Sequence, residues 1–202
     1  MKRLAFLFLA LAACKTAGTR DAPPAPSGAD PSVYYPLAVG NSWTYEFTPG
    51  GRRQTIQIVS RDGPWFVDDH RGRIRLDADG VRDTDQYLLR APLTPGAHWT
   101  AVQNLVVQHF TVAAVDATAK TRAGEFTGCV VVRNESPLAQ GAGKFVTEWT
   151  YAPHVGLVQL RTQTVSARGS QEQSRLDLAS PESHEAIDHV DAVARGQAHQ
   201  RL

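Results

Sequence analysis

The groupings in this chain that could do chemistry are few, and each meets a geometric objection. His184-Glu185-Ala186-Ile187-Asp188-His189 has the residue types of a zinc-protease motif. Zinc held by one helix needs histidines four apart, so that both nitrogens leave the same face. Here the spacing is five, about 140° round a helix of 3.6 residues per turn. The pairs at helical spacing are His184/Asp188 and Glu185/His189, which read as surface pairs. Asp77-Ala78-Asp79-Gly80, followed by Asp83 and Asp85, has part of a calcium loop. It lacks the third acid before the glycine and the closing glutamate. Asp-Gly is also what a hairpin turn asks for, and the turn is the reading adopted. Cys129 stands in Gly128-Cys129-Val130-Val131-Val132, where it reads as a small buried hydrophobe. Arg71, Arg73 and Arg75 would share one face of a continuous strand. They read as a solvated face that discourages edge pairing, with lipid headgroups or an acidic partner as the alternative contact. Gly-x-Ser-x-Gly elbows, P-loops and dinucleotide fingerprints do not occur in the sequence. The expectation is a protein without catalytic residues, metal or cofactor. A hydrolase would need a nucleophile, base and orienting group assembled in space, which spacing alone does not supply.

The bulk numbers agree with a binding or structural role. The chain has 202 residues, 42% of them hydrophobic and 20% charged, enough for one domain with a real core. Lys and Arg number 21 and Asp and Glu 20, a net charge of +1. Without Lys2 and Arg3 the balance is 19 against 20, or −1. There is no basic stripe with interleaved aromatics, so nucleic acid is not an expected partner.

The first residues carry an address. Met1-Lys2-Arg3 is a basic start, and residues 4–13 form an unbroken apolar run. About ten residues is half of what a helix needs to cross a bilayer, but it suits a signal segment. Leu11-Ala12-Ala13-Cys14 then resembles the lipobox of bacterial lipoproteins. That resemblance implies cleavage between Ala13 and Cys14, diacylglyceryl transfer to the Cys14 sulfur, and acylation of the new amino terminus. Lys15 is not the Asp that retains such proteins at the inner membrane, so the resemblance implies the outer membrane. The predicted partner there is the membrane itself, through the Cys14 lipid. Each buried methylene contributes about 0.8 kcal/mol, and stable anchoring takes more than one chain. Residues 14–32, with Pro23-Pro24-Ala25-Pro26, have no apolar periodicity and read as a tether.

The elements that would position any site begin after residue 33. Trp43-Thr44-Tyr45-Glu46-Phe47-Thr48 alternates aromatic and polar, the pattern of a half-buried strand. Similar segments recur to residue 178, separated by Pro49-Gly50-Gly51, Asp62-Gly63-Pro64, Asp79-Gly80 and Pro95-Gly96. About ten strands with regular turn signals predict an all-β, single antiparallel domain over residues 33–179. A sheet of that size curls or closes, so a curved sheet, half-barrel, barrel or two-sheet sandwich is expected. Ser180 as cap and Pro181 at the first helical position predict a short C-terminal helix within residues 180–202, ending near Arg195 before Gly196.

Three signatures in this domain carry a second resemblance: Pro36-Leu37-x-x-Gly40-Asn41-x-Trp43-x-Tyr45, Ala123-Gly124-x-Phe126-x-x-Cys129-x-Val131, and Trp149-x-Tyr151-Ala152-Pro153-x-Val155-Gly156-Leu157-Val158. They are similar to recurring segments of secreted β-rich bacterial lipoproteins. The resemblance implies an envelope β-domain with no known activity. Many aromatics lie in the strands, and two uses are open to them: filling the core, or lining an apolar pocket. The pocket would be bordered by Trp43, Tyr45, Phe47, Phe145, Trp149 and Tyr151. The leading expectation is a lipoprotein that binds an apolar or lipid-like ligand. The alternative is a structural or protein-interaction module of the envelope with a filled core.

Overall fold

A computed structural model describes residues 28–138 and 143–182. A 3-10 turn at Pro31–Tyr34 opens it, capped by Asp30, whose carboxylate accepts from the Ser32 amide at 2.9 Å. Twelve strands follow. The first six are β1 (Ser42–Thr48), β2 (Arg53–Asp62), β3 (Trp65–Asp68), β4 (Arg73–Asp77), β5 (Gly80–Arg82) and β6 (Tyr87–Arg90). The second six are longer: β7 (His98–Gln103), β8 (Val106–Thr121), β9 (Gly124–Pro137), β10 (Gly143–Ala152), β11 (Gly156–Ser166) and β12 (Gly169–Glu182).

All twelve form one antiparallel sheet in the order β6-β5-β4-β3-β2-β1-β12-β11-β10-β9-β8-β7. Every neighbour is a hairpin partner except β1 and β12, which join the two halves of the chain. The end strands β6 and β7 are consecutive in sequence, and the sheet curls until they approach. Val81 and Leu89 from one end share a buried cluster with Trp99, Phe110 and Val112 from the other. The Trp99 indole donates to the Tyr87 carbonyl across the gap at 3.1 Å. The result is a nearly closed barrel. At its last seam a bond from side chain to backbone stands where a ladder would otherwise run.

The expected helix at the C-terminus is corrected. Ser180 and Pro181 continue β12, opposite Thr44 and Trp43 of β1. By then β11 has left the ladder, since its last partner on β12 is Asp177. A proline is tolerated where a strand has one neighbour instead of two, because the missing N–H faces no acceptor. The residues that signal a cap and first turn are therefore a strand end. The remainder of the expected helix, from residue 183 onward, lies outside the described residues, and so does the His184 to His189 grouping.

Other differences are in length. β5 is not among the expected strands, because Asp79-Gly80 reads as the end of one. It is a two-residue reversal: Asp77 accepts from the amides of Asp79 and Gly80, and the chain returns as β5. Gly80 has φ +147, and a Cβ there would sit 2.1 Å from the Leu89 carbonyl oxygen. Only glycine fits so near the neighbouring backbone. The structured domain also begins a little before residue 33: Pro31 and Tyr34 are buried, and Ala29 bridges to Leu93.

Two buried clusters fill the curl. One joins the ends of the sheet, as above. The other gathers Trp43, Tyr45, Cys129, Val158 and Leu178 from the middle. Tyr35 and Leu157 pack on both, making one continuous core. The long β8–β9 hairpin bends at three register shifts so that its tip reaches other strands. The Ala123 amide donates to the Leu178 carbonyl at 2.9 Å, and Arg122 lies 2.7 Å from Glu46. Arg53 holds the same carboxylate from β2 at 3.1 Å. Glu46 is buried, so two guanidinium partners replace the water it has lost.

Candidate functional site

The six aromatics expected to line a pocket separate into three environments. Trp43, Tyr45 and Tyr151 are buried, Trp149 and Phe47 are half-buried, and Phe145 is 36% exposed. Trp43 and Tyr45 are tied to the backbone of the β10–β11 region: the indole donates to Val155 at 2.6 Å, the phenol to Leu157 at 3.0 Å. Trp149 meets Phe110 with ring centroids 5.9 Å apart. Phe47 carries the Arg52 guanidinium 4.4 Å above its ring. Trp149 and Tyr151 border a void of about 10 Å³ with Tyr87, Phe110 and Val132. That is room for about one water, not for a ligand.

Tyr35 completes this interior. It sits between Trp43 and Tyr151, with centroid separations of 5.9 and 6.2 Å. Burial pushes the phenols of Tyr35, Tyr45 and Tyr151 well above their ordinary range. For Tyr35 the charges of Asp68 and Asp83 add to that effect. Sequence pattern misses Tyr35 because it precedes β1 and belongs to no alternating run.

The three sequence signatures meet in space. Asn41 donates to the Pro36 carbonyl at 3.0 Å, which folds the segment before β1. Trp43 and Tyr45 bond to Val155 and Leu157 of the third signature. A Cβ on Gly156 would lie 3.4 Å from the Trp43 indole nitrogen, so the bare backbone lets the ring in. Cys129, from the second signature, is buried beside them, with its thiol donating to Phe126 at 3.5 Å. Burial raises this thiol's pKa. The signatures are thus the joints of the core.

Among the described residues, three features outside the core bear on function, beside shallow clefts of about 480 Å³ at the β6–β7 connection and about 330 Å³ along β8 and β9. A cleft of about 400 Å³ lies between the segment before β1 and strands β2 to β4, bordered by Tyr35, Leu37, Phe66, Leu76 and Arg61. The Arg61 guanidinium stands 5.1 Å from the Phe66 ring centre. The second feature is acidic: Asp68, Asp69 and His70 bring their donor atoms within 4.8 Å. Backbone amides already use this group: Asp69 accepts from Gln57, and Asp68 from His70 and Gly72. The Gln57 amide, with the His70 ring beside it, holds Asp69 below its ordinary carboxylate range. Arg71 is in the turn, at φ +68, and not on the strand face assigned to it. Arg73 and Arg75 do share a face, stacked 5.8 and 4.8 Å from the Trp65 ring centre. Arg73 also pairs with Asp62.

The third feature is the β7–β8 hairpin. Its ladder ends in the pairs Val102↔Val107 and Gln103↔Val106, joined by Asn104-Leu105 at φ +49 and +65. This is the geometry of a type I′ turn, which prefers Asn followed by Gly. Val102, Leu105, Val106 and Val107 are 65%, 98%, 55% and 52% exposed. Residues 91–115 contain no Asp, Glu, Lys or Arg, in a chain where a fifth of residues are charged. That gap is legible in the sequence as a charge pattern, and strand alternation conceals it.

The fold and these surfaces define an antiparallel β-barrel-like domain with a filled interior and its irregular features outside. By sequence, the chain matches no family model and no curated protein. Two solved structures have a related outline. One is a protein from Bacteroides fragilis described as exported, with a YmcC-like fold: 14% identity, TM-score 0.40, covering 75% of this chain and 99% of that one. The other is a protein from Parabacteroides distasonis described as a lipoprotein: 12% identity, TM-score 0.39, covering 76% and 100%.

Proposed function

We propose that this protein is a lipid-anchored, non-catalytic component of the bacterial envelope whose β-domain is an interaction module. The filled interior is the observation that carries the reading. Cys129, Val130, Val158 and Leu178 have no exposed surface, and the void beside Trp149 holds about one water. A domain of this kind works by presenting a shaped surface, since its inside offers a ligand no room. The lipobox at Leu11-Ala12-Ala13-Cys14 supports the anchor, and Lys15 supports delivery to the outer membrane. The buried Glu46 carboxylate is held by Arg53 and Arg122, and the buried Cys129 thiol donates to Phe126. Groups held in structural pairs of this kind support the non-catalytic reading.

The cleft bordered by Tyr35, Leu37, Phe66 and Leu76 favours a second reading, an apolar ligand held on the outside of the barrel. Its volume of about 400 Å³ lies in the range of small-molecule sites. Arg61 at the cleft would select an anionic head.

Native mass spectrometry of the full protein, gently extracted from its envelope, separates the two. The interaction-module reading expects the mass of the chain plus the Cys14 lipids. An additional solvent-extractable species, lost in a Phe66→Ala variant that remains folded, overturns it in favour of the cleft.

A further inference from the structure

We infer that the β7–β8 hairpin is a bilayer-contacting element, and that its apolar tip enters the lipid surface to which the chain is anchored. The inference rests on the anchored interaction-module reading and deepens it by naming one partner surface, the membrane.

The tip is unfavourable on two counts in water. Leu105 is almost fully exposed and stands at φ +65, a conformation suited to glycine. For an L residue the left-handed region brings Cβ too near the following carbonyl oxygen. Val102 and Val107 face each other on one side of the ribbon, and Val106 lies on the other. Both sides of the hairpin end therefore carry exposed apolar side chains, with Gln103 beside Val106 and Asn104 in the turn. A strand pair lying on a core would be apolar on one side only. Strain and exposed apolar surface together at a hairpin tip mark a contact site rather than a turn optimised for folding.

The paired part of the hairpin, residues 98–111, has a composition that suits lipid. Residues 91–115 contain no Asp, Glu, Lys or Arg. An element that enters lipid must be free of charge to the depth it reaches, and this tip is. A charge carried into hydrocarbon loses its hydration, so its absence favours the bilayer. From the Val102–Val107 pair to the turn is about two strand residues, roughly 7 Å. That matches the ~5–10 Å to which interfacial elements sink. The β9–β10 and β11–β12 hairpins open at the same end of the sheet and carry Lys144 and Arg168, so charge returns on the neighbouring strands.

The anchor's reach is compatible. Gly28 lies against Leu93, in the connection leading into β7. From there the six residues of β7 run to the tip, about 20 Å at strand rise. The fourteen steps of chain from Cys14 to Gly28 extend to at most ~50 Å. Anchor and tip can rest on one membrane.

The test places an environment-sensitive fluorophore on Leu105→Cys, with Ala167→Cys in the exposed β11–β12 turn as reference. Cys129 is buried and does not compete for label. The full lipidated chain is reconstituted in phosphatidylethanolamine–phosphatidylglycerol vesicles, and the lipid on Cys14 is verified by mass spectrometry. The expected result is a blue-shifted Leu105→Cys label quenched by lipids brominated on their acyl chains, with the reference unchanged. A water-like, unquenched label on an anchored chain overturns the inference and leaves the anchor reading intact. A label still water-like on vesicles but shielded in native envelope fragments also overturns it, and assigns the tip to a protein partner. If Cys14 carries no lipid, the anchor reading fails by itself. A blue shift of the Leu105→Cys label on adding that unlipidated chain to the vesicles, with Cys14→Ser so that no other free thiol takes the label, would still support the hairpin, and its absence would overturn the hairpin as well.

Discussion

Trp99 donates its indole proton to the carbonyl of Tyr87 at 3.1 Å, and this bond joins the two strands at which the twelve-stranded sheet begins and ends. The same ring stacks on Phe110 at 5.7 Å and 12°. One side chain thus serves the closure of the barrel and the packing of its core. The short strands β4 to β6 depend on this closure, since their own ladders are only a few residues long.

Trp99→Phe keeps a ring for Phe110 and removes the donor. The expected loss is about 1–3 kcal/mol, from the carbonyl left without its partner and the smaller ring in a buried place. Amide hydrogen exchange should quicken in β5, β6 and β7 and remain slow in β10 to β12. Uniform quickening would mean that the bond does not govern the seam.

Leu105→Gly should not weaken the isolated fold. Glycine relieves the left-handed strain, roughly 1–2 kcal/mol, against an entropy cost of roughly 0.5–1 kcal/mol. A urea midpoint equal to or above that of the parent is expected. A clear fall would show that Leu105 makes folding contacts of its own.

All five tyrosines have phenols pushed upward, and burial is the first cause in each. A phenol whose folded pKa is raised stays protonated in the fold while the unfolded chain ionises near pH 10. Its stabilising contribution is complete below about pH 10 and is lost as pH rises toward the folded value. Phenolate absorbance should therefore rise late, together with the loss of near-ultraviolet circular dichroism. Ionisation of most tyrosines near pH 10 with the fold intact would contradict this arrangement.

Cys129 should be inert in the folded domain. It is buried, its thiol donates to Phe126, and burial raises its pKa, so little thiolate forms at neutral pH. Reaction with a disulfide reagent should follow the urea unfolding curve. Rapid labelling in native buffer would place the thiol at the surface.

Removing Leu178 tests the central core. Leu178→Ala leaves a cavity in the cluster it shares with Val158 and Tyr45, and buried Leu→Ala changes cost about 2–5 kcal/mol. The midpoint of chemical unfolding reads the loss directly. A cost below about 1 kcal/mol would mean that the interior is loosely filled.

The local chemistry of this protein was legible residue by residue. Alternation at Trp43, Tyr45 and Phe47 set a strand with an aromatic face, and Asp-Gly and Pro-Gly pairs set the reversals, because side-chain direction and backbone freedom are properties of neighbours. The uncharged run through residues 91–115 and the glycine at 80 were equally plain in the order of residues. What those pieces became depended on the assembled sheet. Ser180 and Pro181 carry a helix-start signal, yet β1 offered an open edge, and ladder pairing with Thr44 and Trp43 prevailed. Tyr35 has no pattern of its own and became the ring between Trp43 and Tyr151. Phe145 and Tyr151 share one parity of β10, but one is at the surface and the other in the core. Strand alternation reports the face of a sheet, while burial depends on how far the sheet curls and where its ends meet. That meeting, at Trp99 and Tyr87, joins residues twelve apart across a gap whose closure is set by the curl of all twelve strands.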